Sequence, residues 1–294
     1  MGSSYVYVNQ AGTWKKLATP YVHQAGVWKQ PTAIYINQSG TWKQVYPGAF
    51  GVNIVIQNNT SKFALIDAAV AAGWNQIDAL VATVTVNAGV YVYGADTSTF
   101  AFDTGILPAA SAVSLINNGT IIGCGGYGGR GGDGNISAPG NGYPGGPGGN
   151  ALNLQCSTTI TGTGLIIAGG GGGGGGGGWG FSGYATGGGG GGGGGAANGP
   201  AGGAGGGAQS PNHPGSAGQP GTFTAGGTYG TGGGPYAAGR GGVGGYGAAG
   251  ENGQAAQSGV VLGGGGAGGA AGYAITGYAS IASITGVTVI GPTV

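Results

Sequence analysis

The chain has 294 residues, 82 of them glycine, and its seven Lys and Arg against six Asp and Glu give a formal net charge of +1. Charged residues are only 4% of the total, so no electrostatic attraction to nucleic acid or to an anionic membrane is expected. An ordinary disordered chain is also a poor description, because such chains are charged and poor in aromatics, whereas this one has 5 Trp, 15 Tyr and 6 Phe.

Residues 1–5, MGSSY, lack a basic stretch followed by an apolar one, and no signal peptide is expected. No run of about 18 bulky apolar residues predicts a membrane span. Three segments then repeat one unit: YVNQAGTWKK from Tyr7, YVHQAGVWKQ from Tyr21 and YINQSGTWKQ from Tyr35. Tyr7, Tyr21 and Tyr35, and likewise Trp14, Trp28 and Trp42, recur in register. Each unit reads as strand, Gly-containing turn, strand. Lone hairpins are marginal in water, so these either stack on each other or dock on a partner through a Tyr/Trp face. Residues 1–49 are therefore expected to form an attachment region.

Residues 50–122 read as a small α+β domain. GVNIVIQ is a strand. SKFALIDAAVAAGW is a short helix capped by Ser61 and stopped at Gly73, with Phe63, Ile66 and Val70 at helical spacing. LVATVTVNAGVYVYG and AVSLINNGTIIG are strands joined by Asn-Ala-Gly and Asn-Gly turns.

Residues 123–294 hold the long glycine runs, 169–178 and 187–195, on either side of WGFSGYAT. GTIIGCGG, GLIIAGGG and GVVLGGGG each lead from apolar residues into glycine, and an apolar, β-like segment closes the chain. Ten glycines cannot make a hydrophobic core; only their backbone remains to be satisfied. A polyproline-II-like helix has three residues per turn and no internal hydrogen bonds, so several of them side by side can bond to each other where no Cβ intervenes. The two long runs are expected at the centre, with Ala, Asn or Arg tolerated at the edges. The inserts DGNISAPGNGYP, WGFSGYAT, QSPNHPGSAGQPGTFTAGGTYG, PYAA and YGAAGENGQAAQ become end loops, alternate ones emerging at opposite ends. Trp179, Phe181, Tyr184, His213, Phe223, Tyr229 and Tyr236 are the candidate receptor-binding residues. Arg130 and Arg240 read either as edge residues bonding carbonyls or as ligand contacts.

Catalysis has little support. His23 occupies the slot of Asn9 and Asn37 and reads as a turn residue, His213 lies in a loop, and the six acids are scattered without motif spacing. Cys124 and Cys156 are expected as reduced, buried thiols, and no metal or cofactor is expected.

Glycine runs with aromatic inserts ahead of an apolar C-terminal strand, from about 119 to 294, resemble the adhesins at the tips of long tail fibres of T-even-like phages. The segment NGTIIGCGGYGGRGG resembles glycine-rich modules of other phage tail proteins, and the Tyr/Trp repeat resembles small repeats of tail and virion proteins. The resemblance implies a mostly β and irregular fold: hairpin repeats, the small α+β domain and a C-terminal sandwich of polyglycine-II helices. It implies a virion protein, assembled in the host cytoplasm and acting outside the cell. Its partners would be tail-fibre or tail-tip proteins and a bacterial surface receptor, a sugar or an outer-membrane protein. Three tandem repeats suit a single subunit on a three-fold fibre end, with a self-trimer as the rival. A purely structural virion role is the alternative function.

Overall fold

A computed structural model describes residues 7–10, 12–16, 21–24, 26–29, 31, 34–46, 49–135, 137–181, 185–196, 203, 205–207, 213–234, 238–257 and 261–294. The described chain is mostly β, with one α-helix at Leu65–Ala71.

Each N-terminal repeat is an antiparallel hairpin: Tyr7–Gln10 with Thr13–Lys16, Val22–Gln24 with Val27–Lys29, and Ile34–Gln38 with Thr41–Tyr46. In the third turn both Ser39 and Gly40 have positive φ, as a two-residue hairpin turn with right-handed strand twist requires. His23 is a strand residue rather than a turn residue: it faces Trp28 across the hairpin, ring centroids 5.0 Å apart.

Residues 49–294 contain three parallel sheets. The first orders Ala49–Ile56, Ala79–Val86, Ala112–Asn117, Ser157–Thr161 and Ile281–Thr285. The second orders Thr60–Ser61, Tyr91–Tyr93, Thr120–Ile122, Leu165–Ile167 and Thr288–Ile290. The third orders Phe63–Ala64, Phe102–Asp103, Leu152–Asn153 and Ile275–Thr276. The chain visits first, second and third sheet in turn, then returns to the first beside its previous strand. That path is a three-sided parallel β-solenoid.

Its strands alternate because one face points inward. Along Ala79–Val86 the buried residues are Leu80, Ala82, Val84 and Val86. Register stacks like residues between coils: Ile54, Val84, Leu115, Ile160 and Ile284 on the first side, Val92, Ile121, Ile166 and Val289 on the second, Phe63, Phe102, Leu152 and Ile275 on the third. These ladders form the core.

The expected α+β domain is thus replaced by solenoid coils, and the sheets run across the expected boundary at residue 122. Asn-Ala-Gly and Asn-Gly make corners between sheets rather than hairpins, since Ala79–Val86 and Tyr91–Tyr93 pair with different strands. Ser61 does not cap the helix; it lies in a strand, and the N-cap position is Ala64 without a side-chain bond. Gly73 does end the helix, at φ +99°, with Gly73 N–H donating to Val70 O and Trp74 N–H to Ala69 O.

The glycine-rich region consists of two insertions at one corner of consecutive coils. Both leave after a second-sheet strand and return to a third-sheet strand: from Ile122 to Leu152, and from Ile167 to Ile275. The register separation on the first sheet grows accordingly, from 30 residues between Ala49 and Ala79 to 123 between Thr158 and Ile281.

Within the insertions the backbone bonds sideways with a period of three. Gly171, Gly174 and Gly177 donate to Ala248, Glu251 and Gln254; Gly172, Gly175 and Gly178 to Gly146, Tyr143 and Gly140; Gly173 and Gly176 to Gly193 and Gly190. The same run accepts from 126–132, 239–245 and 263–272. It therefore bonds to six segments, and residues 169–178 are all buried. Residues 188–196 are surrounded in the same way by 126–132, 170–176, 203–206, 213–219, 227–233 and 239–245. The two long glycine runs are the inner segments, as expected. An outer segment carries a side chain at every third position: in 123–134 only Tyr127, Arg130 and Asp133 are exposed.

Candidate functional site

The end of the glycine-rich region nearest the solenoid is set by Ala168 N–H donating to Ile290 O and by Phe223 packing on Tyr91 and Tyr93. The opposite end gathers the remaining turns. A three-stranded sheet there orders Ala185–Gly187, Trp179–Phe181 and Val261–Leu262. Gly134 N–H donates to Gly207 O, Gly188 N–H to His213 O, and Gly233 N–H to Gly188 O. These bonds bring to one tip the described ends of five stretches: 133–135 with 137–140, 179–181 with 185–187, 207 with 213, 234 with 238, and 257 with 261.

Trp179 is at the root of this tip. Its side chain is fully buried, and Nε1–H donates to Gly233 O at 3.1 Å. Gly234 and His213 adjoin it: a Cβ on Gly234 would lie 2.9 Å from the Trp179 ring and 3.4 Å from His213 Cβ. Trp179 is therefore an internal brace of the tip, with its ring closed off from the surface. The outer surface of the tip carries Ser137, Ala138 and Leu262, all exposed, with Asn135 Oδ1 accepting from Ser137 N–H and so shaping that turn.

The other candidates divide. The strand containing Phe181 and the half-buried His213 are at the tip. Tyr184 and Tyr236 lie outside the described residues. Phe223 is at the solenoid end, where its ring stacks on Tyr91, so it leaves the candidate surface. Tyr229 is on the flank, under the Arg240 guanidinium at 4.4 Å, and its hydroxyl accepts from Arg240. Among the attachment residues, Tyr21, Trp28, Tyr35 and Trp42 are 56%, 67%, 53% and 68% exposed, unusually open for large aromatics. The side chains of Tyr7 and Trp14 lie outside the description.

Sequence reading passed over Tyr127, Tyr143 and Leu262. For Tyr127 a signal exists: CGGYGGRGGDG places a non-glycine at every third position, which puts Cys124, Tyr127, Arg130 and Asp133 on one line. Cys124 and Cys156 are free thiols, the first buried and the second partly so. Among the described residues no group of three or more His, Cys, Asp and Glu could hold a metal ion. No helix among them is long and apolar enough to cross a membrane.

A braced scaffold that brings several distant chain segments together at one end is a geometry suited to binding. Residues 51–294 match the family described as phage tail fibre adhesin Gp38, and the chain belongs to that family. It is a bacteriophage tail fibre adhesin, a virion component whose partners are the virion's tail proteins and a host receptor. Neither the curated proteins nor the solved structures contain a match to this chain.

Proposed function

We propose that the chain binds a bacterial surface receptor through the tip remote from the solenoid, and is fixed to the fibre through its N-terminal repeats. The observation that carries the reading is the convergence of the described ends of five stretches on the sheet rooted by Trp179. Phe181, Tyr184, His213 and Tyr236 supply the recognition surface with Leu262, and the flanking Tyr229 extends it. Aromatic groups on a pre-organised frame bind with little ordering cost.

In this reading the glycine segments are polyglycine-II helices packed in three rows. One outer row holds 140–150, 123–134, and 203 with 205–207. The middle row holds 262–274, 168–178, 187–196 and 213–220. The other outer row holds 247–257, 238–246 and 226–234. A hydrogen-bond direction that returns every third residue supports it, because such a helix has three residues per turn. At about 3.1 Å per residue, ten glycines hold the tip roughly 31 Å from the solenoid.

The repeats of 1–49 serve attachment, with Tyr7, Trp14, Tyr21, Trp28, Tyr35 and Trp42 as the contact face. They lie wholly outside the matched residues 51–294, and the exposed rings are surface of the kind that interfaces cover. One subunit on a three-fold fibre end uses one repeat per fibre chain.

Phage carrying Phe181→Ala, Tyr184→Ala or Tyr236→Ala test the tip, with Glu251→Gln as a flank control. The reading expects slower adsorption for the tip variants, an unchanged rate for the control, and unchanged melting of each purified protein. Parental adsorption by all three tip variants refutes it.

A further inference from the structure

The flank of the glycine-rich region, away from the tip, carries a concave surface. Tyr127, Gly128, Gly129, Arg130, Tyr143, Pro144 and Gly203 line an open trough of about 370 Å³. Its floor is glycine backbone. Its walls are two tyrosines that remain 58% and 55% exposed, and Pro144, also exposed.

The side chains are placed by the backbone ladder. Gly146 N–H donates to Tyr127 O and Tyr143 N–H to Arg130 O, so the carbonyls of Tyr127 and Arg130 meet the neighbouring segment one turn apart. The Tyr127 ring covers Gly146, where an added Cβ would come within 2.7 Å of it. Arg130 reaches back to the Asp133 carboxylate and holds its guanidinium 5.8 Å from the centroid of the Tyr143 ring. Asp133 in turn accepts from Gly207 N–H at 2.7 Å.

The chemistry selects a ligand class. An anion would want an uncompensated cation, but Arg130 is already matched by Asp133. A purely apolar ligand would want enclosure, and this trough is open. What the trough offers is aromatic faces beside a strong donor, Arg130, held in place by Asp133. A pyranose ring has the complementary form: a face of C–H groups to lie on tyrosine, and hydroxyls that accept from a guanidinium.

We infer that this trough is a binding site for a neutral saccharide, distinct from the tip. Tyr127 and Tyr143 stack on the sugar, Arg130 bonds its hydroxyls while Asp133 holds the guanidinium in place, and the glycine floor keeps the site rigid. An open site of this kind binds weakly by itself and contributes through simultaneous engagement with other contacts at the cell surface.

Saturation-transfer NMR on the full chain tests this, using methyl α-D-glucopyranoside, methyl β-D-galactopyranoside and N-acetyl-D-glucosamine as probes. Irradiation of aromatic protons is expected to pass to the ring C–H protons of at least one probe. Tyr143→Ala and Tyr127→Ala each weaken that binding about tenfold, Tyr143→Phe retains it, and Arg130→Met reduces it. Unchanged melting of Tyr143→Phe and Tyr143→Ala separates loss of the ring from loss of the fold. Absence of transfer to all three probes overturns the inference. Transfer that survives unchanged in Tyr143→Ala also overturns it, since the sugar then binds elsewhere. Because the readout is purified protein and probe, it stands apart from the adsorption test of the tip.

Discussion

The ring of Phe223 stacks on the ring of Tyr91, centroids 4.4 Å apart and planes 19° from parallel. Tyr93 meets the same ring at 5.3 Å, tilted by 58°. Phe223 belongs to a turn of the second insertion and Tyr91 to the second coil of the solenoid, so this contact ties the two parts of the protein together. Phe223→Ala is expected to cost about 2 kcal/mol, below the full core value because the ring is only partly buried. Chemical denaturation measures it. Host adsorption at a temperature where the variant is folded should match the parent, which it would not if Phe223 met the receptor.

Glycines of the inner segments are fixed by neighbouring backbone. A Cβ on Gly173 would lie 2.1 Å from Gly242 O, whereas one on Gly264 would meet nothing nearer than Asn141 Oδ1 at 3.4 Å. Gly173→Ala is expected to destabilise by about 3 kcal/mol or to prevent folding. Gly264→Ala should stay within about 0.5 kcal/mol of the parent. Thermal melting of the two proteins side by side decides this. Equal melting temperatures would mean that the inner packing is loose.

Trp179 is buried, hydrogen-bonded and placed under several turns at once. Trp179→Ala should cost about 3–5 kcal/mol. Trp179→Phe, which keeps an aromatic ring and removes the N–H donor to Gly233 O, should cost about 1–3 kcal/mol. Adsorption lost together with stability marks a brace. Adsorption lost at parental stability would make Trp179 a receptor contact after all.

Alkaline pH should weaken the fold. Burial pushes the Cys124 thiol up, helped by the Asp96 carboxylate, and burial also raises Cys156 and Tyr246. Below the ordinary thiol value of about 8.5 both folded and unfolded chains hold these protons, and stability is fully present. Above it the unfolded chain ionises first, and stability is lost as pH rises through the folded-state values. Melting temperature should therefore hold level up to about pH 8 and fall from there. Replacing both cysteines by alanine should remove the earlier part of the fall and leave the Tyr246 part, beginning near pH 10. A level profile to that pH would contradict the burial of these groups.

Much of this protein is legible along the chain because its rules are local. A Tyr/Trp unit repeated in register with a Gly in each turn specifies hairpins. A glycine run without bulky residues specifies an inner segment, and a side chain at every third position, as in Tyr127, Arg130 and Asp133, specifies an outer one. The aromatic inserts between the long runs point to binding from the ends of such a frame.

The solenoid was not legible in the same way, and neither was the fate of single aromatics. Alternation in Ala79–Val86 announces a strand but not its partner, and the partners of the solenoid strands lie 29 to 124 residues away in parallel register. The apolar leads into glycine at Thr120, Leu165 and Val261 look alike in sequence. The first two pair in the solenoid and the third pairs with Trp179 at the tip. Trp179 and Phe223 were equivalent as aromatic inserts; only the assembled chain set one beneath the tip and the other against Tyr91. The sequence by itself determined which backbone could pack without Cβ atoms, because that depends on each residue alone. Which side chains remain at the surface was decided by the tertiary structure, because burial depends on what distant segments bring to cover them.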